Sequence, residues 1–230
     1  MRFLNDLLDL VLTELCAGCG VATGLLCRRC AAWLETPARR VTWPTSLPPG
    51  LPCPWTVAAY EGPVRSMLVA HKERGRTALA RPLGAALARA VQAALSEPGS
   101  PRDPPTALVP VPSARSAVRQ RGHDPTRRMT DAALRELRTT GLVRLDALRH
   151  RRRVADQAGL TAAERATNLK DALEPKRPLP GHRVVLVDDV ITTGATLTEA
   201  ARALTEAGAT VIATATLATT PRRTHPPPTP

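Results

Sequence analysis

The sequence predicts an α/β fold, a parallel sheet flanked by helices, with a small four-cysteine module in front of it. Three observations carry this expectation. Arg183-Val-Val-Leu-Val-Asp188 is an unbroken apolar run of the kind that fills a strand buried on both faces. Thr196–Ala207 and Thr210–Leu217 follow it as a helix and a second strand, the order of a parallel βαβ unit. Cys16, Cys19, Cys27 and Cys30 form a C-x2-C-x7-C-x2-C pattern near the start. The 230 residues are 43% hydrophobic, enough for a proper core, which excludes bulk disorder and a collagen-like fibre. Only 2% are aromatic, so that core is built from Leu, Val, Ile and Ala.

Element by element, Leu4, Leu7, Leu8, Val11, Leu12 and Leu15 recur at helical spacing, and Phe3–Leu15 is expected to be an amphipathic helix packed on the body. Asp6, Asp9 and Glu14 interrupt it, which argues against a signal peptide and a membrane span and leaves a cytoplasmic protein as the expectation. The two CxxC knuckles can present four thiolates to one tetrahedral ion, and Gly18, Gly20 and Gly24 permit the turns this needs. Structural Zn2+ is the expected occupant. Two disulfides or a redox CxxC are the alternatives; the missing secretion signal weighs against the first, and the missing strand–helix context against the second. Cys53 is left over as a loop or core thiol.

Residues 1–35 are therefore read as the helix plus cysteine module and 36–55 as a proline-rich linker. Residues 56–219 form the main domain and 220–230 a disordered tail. Within the main domain Thr56–Tyr60 reads as a strand, Glu61-Gly-Pro63 as a turn and Val64–Ala70 as a helix leading to His71-Lys72. Leu79–Leu95 reads as an Ala/Leu-rich helix, Glu97–Pro105 as a loop, Ala107–Val111 as a short strand and Thr126–Thr139 as a basic helix. Thr161 and Glu164 have capping-box spacing for another helix, and Gly208 closes the one that starts near Thr196.

Charge is unevenly placed. The net +12 rises to +9 over residues 113–183 alone, against +4 before them and −1 after. That block is suited to an anion, either a phosphorylated small molecule or a nucleic acid.

The chemistry concentrates in Val184-Val-Leu-Val-Asp-Asp-Val-Ile-Thr-Thr-Gly-Ala-Thr196. An apolar strand is expected to end in Asp188 and Asp189, with a Thr/Gly loop and a helix start behind them. Ligands of parallel sheets bind at the carboxyl ends of strands. The loop and helix N-terminus offer N–H groups and a positive dipole end to a phosphate. Thr192, Thr193 and Thr196 add hydroxyls, and Gly194 allows close approach of the backbone. Thr196 and Glu199 have capping-box spacing. Two acids beside a phosphate nest suit a ligand that also presents hydroxyls or a metal, and a ribose 5-phosphate fits. The P-loop and dinucleotide fingerprints are both missing.

This stretch resembles the PRPP-binding motif of type I phosphoribosyltransferases. With the cysteine knuckles, Tyr60-Glu-Gly-Pro-Val-Arg65, His71-Lys72, Val109-Pro-Val-Pro112, Arg121-Gly122, Asp156-Gln157, Arg165 and Asn168-Leu169, it resembles the ComF/GntX family over about residues 7–217. That family is named for DNA uptake in natural competence. The chain departs from its pattern at His123-Asp-Pro125.

The resemblance implies a type I phosphoribosyltransferase fold for residues 56–219. Asp188 and Asp189 would hold the ribose hydroxyls, and Thr192, Thr193, Gly194, Ala195 and Thr196 the 5-phosphate. Mg2+ would accompany PRPP. Residues 113–121 match the place of the pyrophosphate loop, with Arg119, Arg121 and Lys72 as candidate pyrophosphate contacts. Three functions follow as expectations: a phosphoribosyltransferase acting on an unread acceptor, a PRPP-binding module without turnover, and a single-stranded-DNA-binding component of the uptake machinery. The last lacks stacking aromatics in its basic block.

Overall fold

The computed structural model describes residues 14–41, 51–97, 106–137, 141–152 and 167–221. Most of the Phe3–Leu15 helix, the helix expected from Thr161, Asp156-Gln157, Arg165 and most of the tail lie outside the described residues, as does nearly all of the Glu97–Pro105 loop.

The described elements are α1 (Arg28–Ala32), β1 (Arg39–Arg40), β2 (Pro54–Ala59), α2 (Gly62–Glu73), a 3-10 turn (Thr77–Leu79), α3 (Ala80–Leu95), β3 (Ala107–Pro110), α4 (Arg115–Arg121), α5 (Pro125–Leu137), β4 (Val143–Arg144), β5 (Leu148–His150), β6 (Leu173–Pro175), β7 (Arg183–Ile191), α6 (Ala195–Glu206) and β8 (Thr210–Thr219). Six strands form one sheet in the order β1-β2-β8-β7-β3-β4. β1 is antiparallel to β2 and every other pairing is parallel. β5 and β6 form a separate two-stranded antiparallel sheet. The predicted α/β class with a parallel sheet is present, and among the described residues no helix is long and apolar enough to cross a membrane.

Burial on both faces accounts for the apolar run in β7, where Val184–Val187 are fully buried. One face is covered by α2, α3 and α5, whose Met67, Leu68, Leu83, Leu87 and Met129 pack on Val185, Val187, Ala215 and Leu217. The other is covered by α6 and the β5–β6 pair, which place Leu197, Leu204, Leu148 and Leu173 against Leu186 and Val109. Each such buried Leu contributes about 1.5–3 kcal/mol of transfer free energy. α3 and α5 pack closely because α3 carries Gly84: a Cβ there would lie 2.4 Å from the Ala132 Cβ and 2.7 Å from the Met129 carbonyl oxygen.

Several expectations are corrected. Residues 115–121 form helix α4 rather than a loop; none of them is buried, so no apolar stripe announced it. β7 does not stop at the acids but runs to Ile191, because β8 keeps pairing with it through Thr219. α6 starts at Ala195 with Gly194 as its cap residue, and Thr196–Glu199 is no capping box. The Glu199 carboxylate instead accepts from the Leu173 N–H at 3.0 Å and from the Arg202 guanidinium at 2.7 and 2.9 Å, tying α6 to β6. Arg39–Arg40 and buried Val41 and Leu51 join the sheet and its core.

Candidate active site and metal centre

The carboxyl ends of β3 and β7 are where a parallel sheet places its ligand crevice. β3 pairs with β7 through Pro110↔Val187, and the Val111 N–H to Val187 carbonyl bond at 2.9 Å is the last between them. Beyond Val187, β7 has only β8 beside it, so Asp188 and Asp189 stand where the sheet loses a neighbour.

The acids are not alone. Lys72, in the last turn of α2, forms an ion pair with Asp189, whose side chain is 7% exposed. The Asp188 carboxylate accepts from the Asp189 N–H at 2.8 Å. Burial and then the neighbouring Asp189 charge push the Asp188 carboxyl well above the usual carboxylate range, with Lys72 opposing. Burial works against the Lys72 charge, but Asp189 and then Asp188 outweigh it and hold the ammonium above its ordinary value. Asp189 Oδ2 is buried with no hydrogen-bond partner beyond its ion pair with Lys72. Such an oxygen suits a hydroxyl donor or a hard cation such as Mg2+.

Directly behind the acids come exposed Thr192 and half-buried Thr193, then Gly194 at φ +80, a left-handed conformation that strains any residue with a Cβ. The Thr193 hydroxyl accepts from the Ala195 N–H at 3.4 Å, and Thr198 binds back to the Gly194 carbonyl. The half-buried Ala195 and Thr196 begin α6, whose first-turn N–H groups lack helical partners.

Arg121 and Arg119 diverge. Arg121 donates to both oxygens of Glu73, at 2.8 and 2.5 Å, beside Lys72 in sequence. Arg119 instead lines hollows whose walls include neither acid nor any residue of 192–196. His123 is 7% exposed, and its two ring nitrogens lie 3.2 and 3.1 Å from the carbonyl oxygens of Arg121 and His71, to one of which its N–H donates. Its neighbour His71 is fully buried between the carbonyls of Arg76 and Pro125, and burial lowers its pKa. This pair fixes α2 against the segment after α4, a structural role.

Sequence reasoning missed two positioning residues. Glu73 holds Arg121. Asp124 accepts from the N–H groups of Ser113 and Arg127, at 3.4 and 3.2 Å, and from the Ser113 hydroxyl, pinning the segment after β3 to the start of α5. An acid directly before a proline that opens a helix is an N-cap signal, so Asp124 was readable in principle; Glu73 was not.

The cysteine module gathers as its spacing predicts. The four Sγ atoms of Cys16, Cys19, Cys27 and Cys30 all lie within 4.8 Å of one another, and Cys19 and Cys27 are 3.8 Å apart. Zn–S bonds of about 2.3 Å in a tetrahedron require S–S separations of about 3.8 Å. Burial opposes the Cys16 thiolate, but N–H donors led by that of Cys27, 3.3 Å away, bring its pKa down to about 6. Burial raises that of Cys30, followed by the other three thiols. Four crowded sulfurs of this kind are the donor set a cation neutralises. Gly18 makes room for it, since a Cβ there would fall 2.6 Å from the Cys30 Sγ.

Comparison with known proteins agrees with this geometry. The family profile described as Phosphoribosyl transferase domain matches residues 128–229. Competence protein F of Haemophilus influenzae is 35% identical over 107 residues, 45% of this chain and 46% of that protein. DNA utilization protein YhgH of Escherichia coli is 40% identical over 67 residues, covering 29% of this chain and 30% of that one. YhgH of Salmonella typhi is 43% identical over 61 residues, 26% and 27%. The chain thus spans less than half the length of these relatives. A chain with two acids near the end of β7, a Thr-Gly turn and a four-cysteine cluster is thus similar to the phosphoribosyl transferase domain over part of its length and to proteins named for competence and DNA utilization over other or overlapping parts.

Proposed function

We propose that the crevice binds PRPP with Mg2+ and transfers its phosphoribosyl group to an acceptor. The observation that carries this reading is the juxtaposition of Asp188, Asp189 and Lys72 with the Thr-Gly turn and the start of α6. Thr192, Thr193, Gly194, Ala195 and Thr196 hold the 5-phosphate through hydroxyls and N–H groups. Asp188 and Asp189 accept the ribose hydroxyls, and Asp189 Oδ2, held in the ligand-free protein by Lys72, shares its lone pairs between that ammonium and a hydroxyl proton. Mg2+, when bound, supplies charge neutralisation at the departing pyrophosphate. Arg121 and Arg119 are the guanidinium candidates for pyrophosphate, and Arg121 must share or leave Glu73 to reach it. The C1–O bond to pyrophosphate breaks through an oxocarbenium-like state as the acceptor bonds to C1, and the cations stabilise the negative charge that the departing pyrophosphate carries away. Structural Zn2+ on Cys16, Cys19, Cys27 and Cys30 belongs to the same proposal.

The relatives named for competence and DNA utilization supply the proposed setting, DNA uptake or use inside the cytoplasm. Cell fractionation tests the location. Direct contact with single-stranded DNA is a second reading, favoured by the +9 of residues 113–183. It requires affinity that falls steeply with salt, and salt-insensitive or absent binding sinks it.

Calorimetric titration of PRPP with Mg2+ tests the main reading. Wild type binds, and Asp188→Asn with Asp189→Asn does not; equal binding by both overturns the site. PRPP binding without pyrophosphate release across a broad acceptor panel would leave a binding module in place of an enzyme.

A further inference from the structure

We propose that Arg76 is a positioning residue that couples the four-cysteine cluster to the crevice. Through it, a metal on the four thiols fixes the end of α2 that presents Lys72, so that metal and crevice ligand bind cooperatively. The coupling rests on the PRPP reading of the crevice for its ligand alone.

Arg76 follows the end of α2 by three positions. Its backbone is tied to the last turn of that helix. The Arg76 N–H donates to the Ala70 carbonyl at 3.2 Å, and His71 Nδ1 lies 3.4 Å from the Arg76 carbonyl oxygen. Its side chain reaches the other way. One guanidinium nitrogen donates to the Leu15 carbonyl at 2.6 Å and the other to the Glu14 carboxylate at 2.6 Å. Leu15 stands directly before Cys16, so its carbonyl belongs to the peptide bond that leads into the first thiol of the cluster. From Cys16 to Asp189 the line is continuous: the Leu15 carbonyl, Arg76, the turn of Ala70 and His71, then Lys72 and its ion pair. The Glu14 side chain is 57% exposed and its charge is screened, which leaves the Leu15 carbonyl as the contact that holds. At the other end of α2, Gly18 lies against Pro63: a Cβ at Gly18 would fall 3.2 Å from the Pro63 Cβ.

The cysteine module has one firm anchor and one weak one. Leu34, behind α1, is buried in the main core, and its carbonyl accepts from Arg89 of α3. Across residues 14–22 only Cys16 is buried, while Leu15 and Val21 stand exposed. Apolar burial therefore does little to order the first CxxC turn, and ligation of its thiols supplies the rest. Loss of metal frees that turn, the Leu15 carbonyl leaves Arg76, and the last turn of α2 loses a grip. Lys72 then meets Asp189 less often, and two acids without their cation repel an anionic ligand. Linkage is reciprocal, so a ligand that favours the ordered α2 also favours the metal-bound module.

The test is calorimetric titration of PRPP with Mg2+ into the full chain loaded with Zn2+, and again after a thiophilic chelator that spares Mg2+ has stripped the Zn2+. Stripping is expected to weaken PRPP binding about fivefold or more, and saturating PRPP to tighten Zn2+ by the same factor. Zn2+-loaded Arg76→Gln is expected to keep its metal and to bind PRPP as weakly as stripped wild type, with no further loss on stripping. Hydrogen exchange of the PRPP-free chain gives a second readout. Stripping is expected to speed exchange at residues 70–73 and to leave the amides of β7 and β8 protected. Where PRPP binds, equal affinity with and without Zn2+ overturns the proposal, as does a metal effect that persists in full in Arg76→Gln. Loss of protection in β7 and β8 on stripping also overturns it, because the metal would then be a requirement of the whole fold. If PRPP binds no form of the chain, the PRPP reading falls and exchange at residues 70–73 decides this proposal alone: unchanged rates overturn it, and faster rates that Arg76→Gln reproduces with Zn2+ in place uphold it.

Discussion

Replacing Lys72 with methionine separates charge from packing at the crevice. The substitution keeps an unbranched side chain at the end of α2 and removes the ammonium that pairs with Asp189. Lys72 is 29% exposed and Asp189 7%, so the pair sits between two limits. Breaking a buried pair costs about 3–5 kcal/mol and an exposed one about 0–1 kcal/mol. An intermediate loss of about 2 kcal/mol is expected near pH 8, equivalent to a fall in Tm of about 4–8 °C for a chain of this size. The pH dependence has a definite sign. Asp188 already has a raised pKa, and Lys72 is the charge that restrains it. Without Lys72 the carboxyl rises further, so the variant loses stability as pH climbs through that range and recovers toward pH 4, where Asp188 stays protonated in the fold. Thermal melts of wild type, Lys72→Met, Asp189→Asn and the double variant across pH 4–8 complete the cycle. A coupling near zero, or a loss equal at both pH extremes, refutes the argument and assigns Lys72 to packing alone.

Asp188→Asn is expected to stabilise the ligand-free protein at pH 8, with the gain shrinking toward pH 4, because a carboxyl with a raised folded pKa weakens the fold as it ionises; melts across pH check this, and a variant less stable than wild type at pH 8 contradicts it. Gly84→Ala forces a methyl against the backbone of α5, where a flexible side chain cannot give way, and should cost about 1–3 kcal/mol in urea unfolding; unchanged stability would show that α3 and α5 separate readily. Cys16→Ser should lower bound metal measured by mass spectrometry and make the module sensitive to chelators; full retention of metal would remove Cys16 from the ligand set.

Local patterns were legible wherever neighbours in sequence also act together. The apolar run of β7, the helix and strand after it, the Ala/Leu periodicity of α3 and the four cysteines declare themselves, because each is governed by burial period or by ligand spacing. Two- and three-residue strands such as β1, β4, β5 and β6 are too short for alternation to be read, and α4 has no buried face to mark it. Glu199 looked like a capping residue from its spacing, yet it is drawn to Leu173 and Arg202 in the packed fold.

The sequence by itself determined that two acids, a Thr-Gly turn and a helix start would lie at the end of one strand, and that four thiols would share one site. The tertiary structure decided which charges face them. Lys72 is 117 positions from Asp189 and Glu73 is 48 from Arg121 in sequence, and no periodicity links such pairs. Their meeting depends on how helices stack on the sheet and where β3 stops pairing with β7. Those outcomes follow from the packing of the whole core, so the electrostatics of the crevice appear only once the chain is folded.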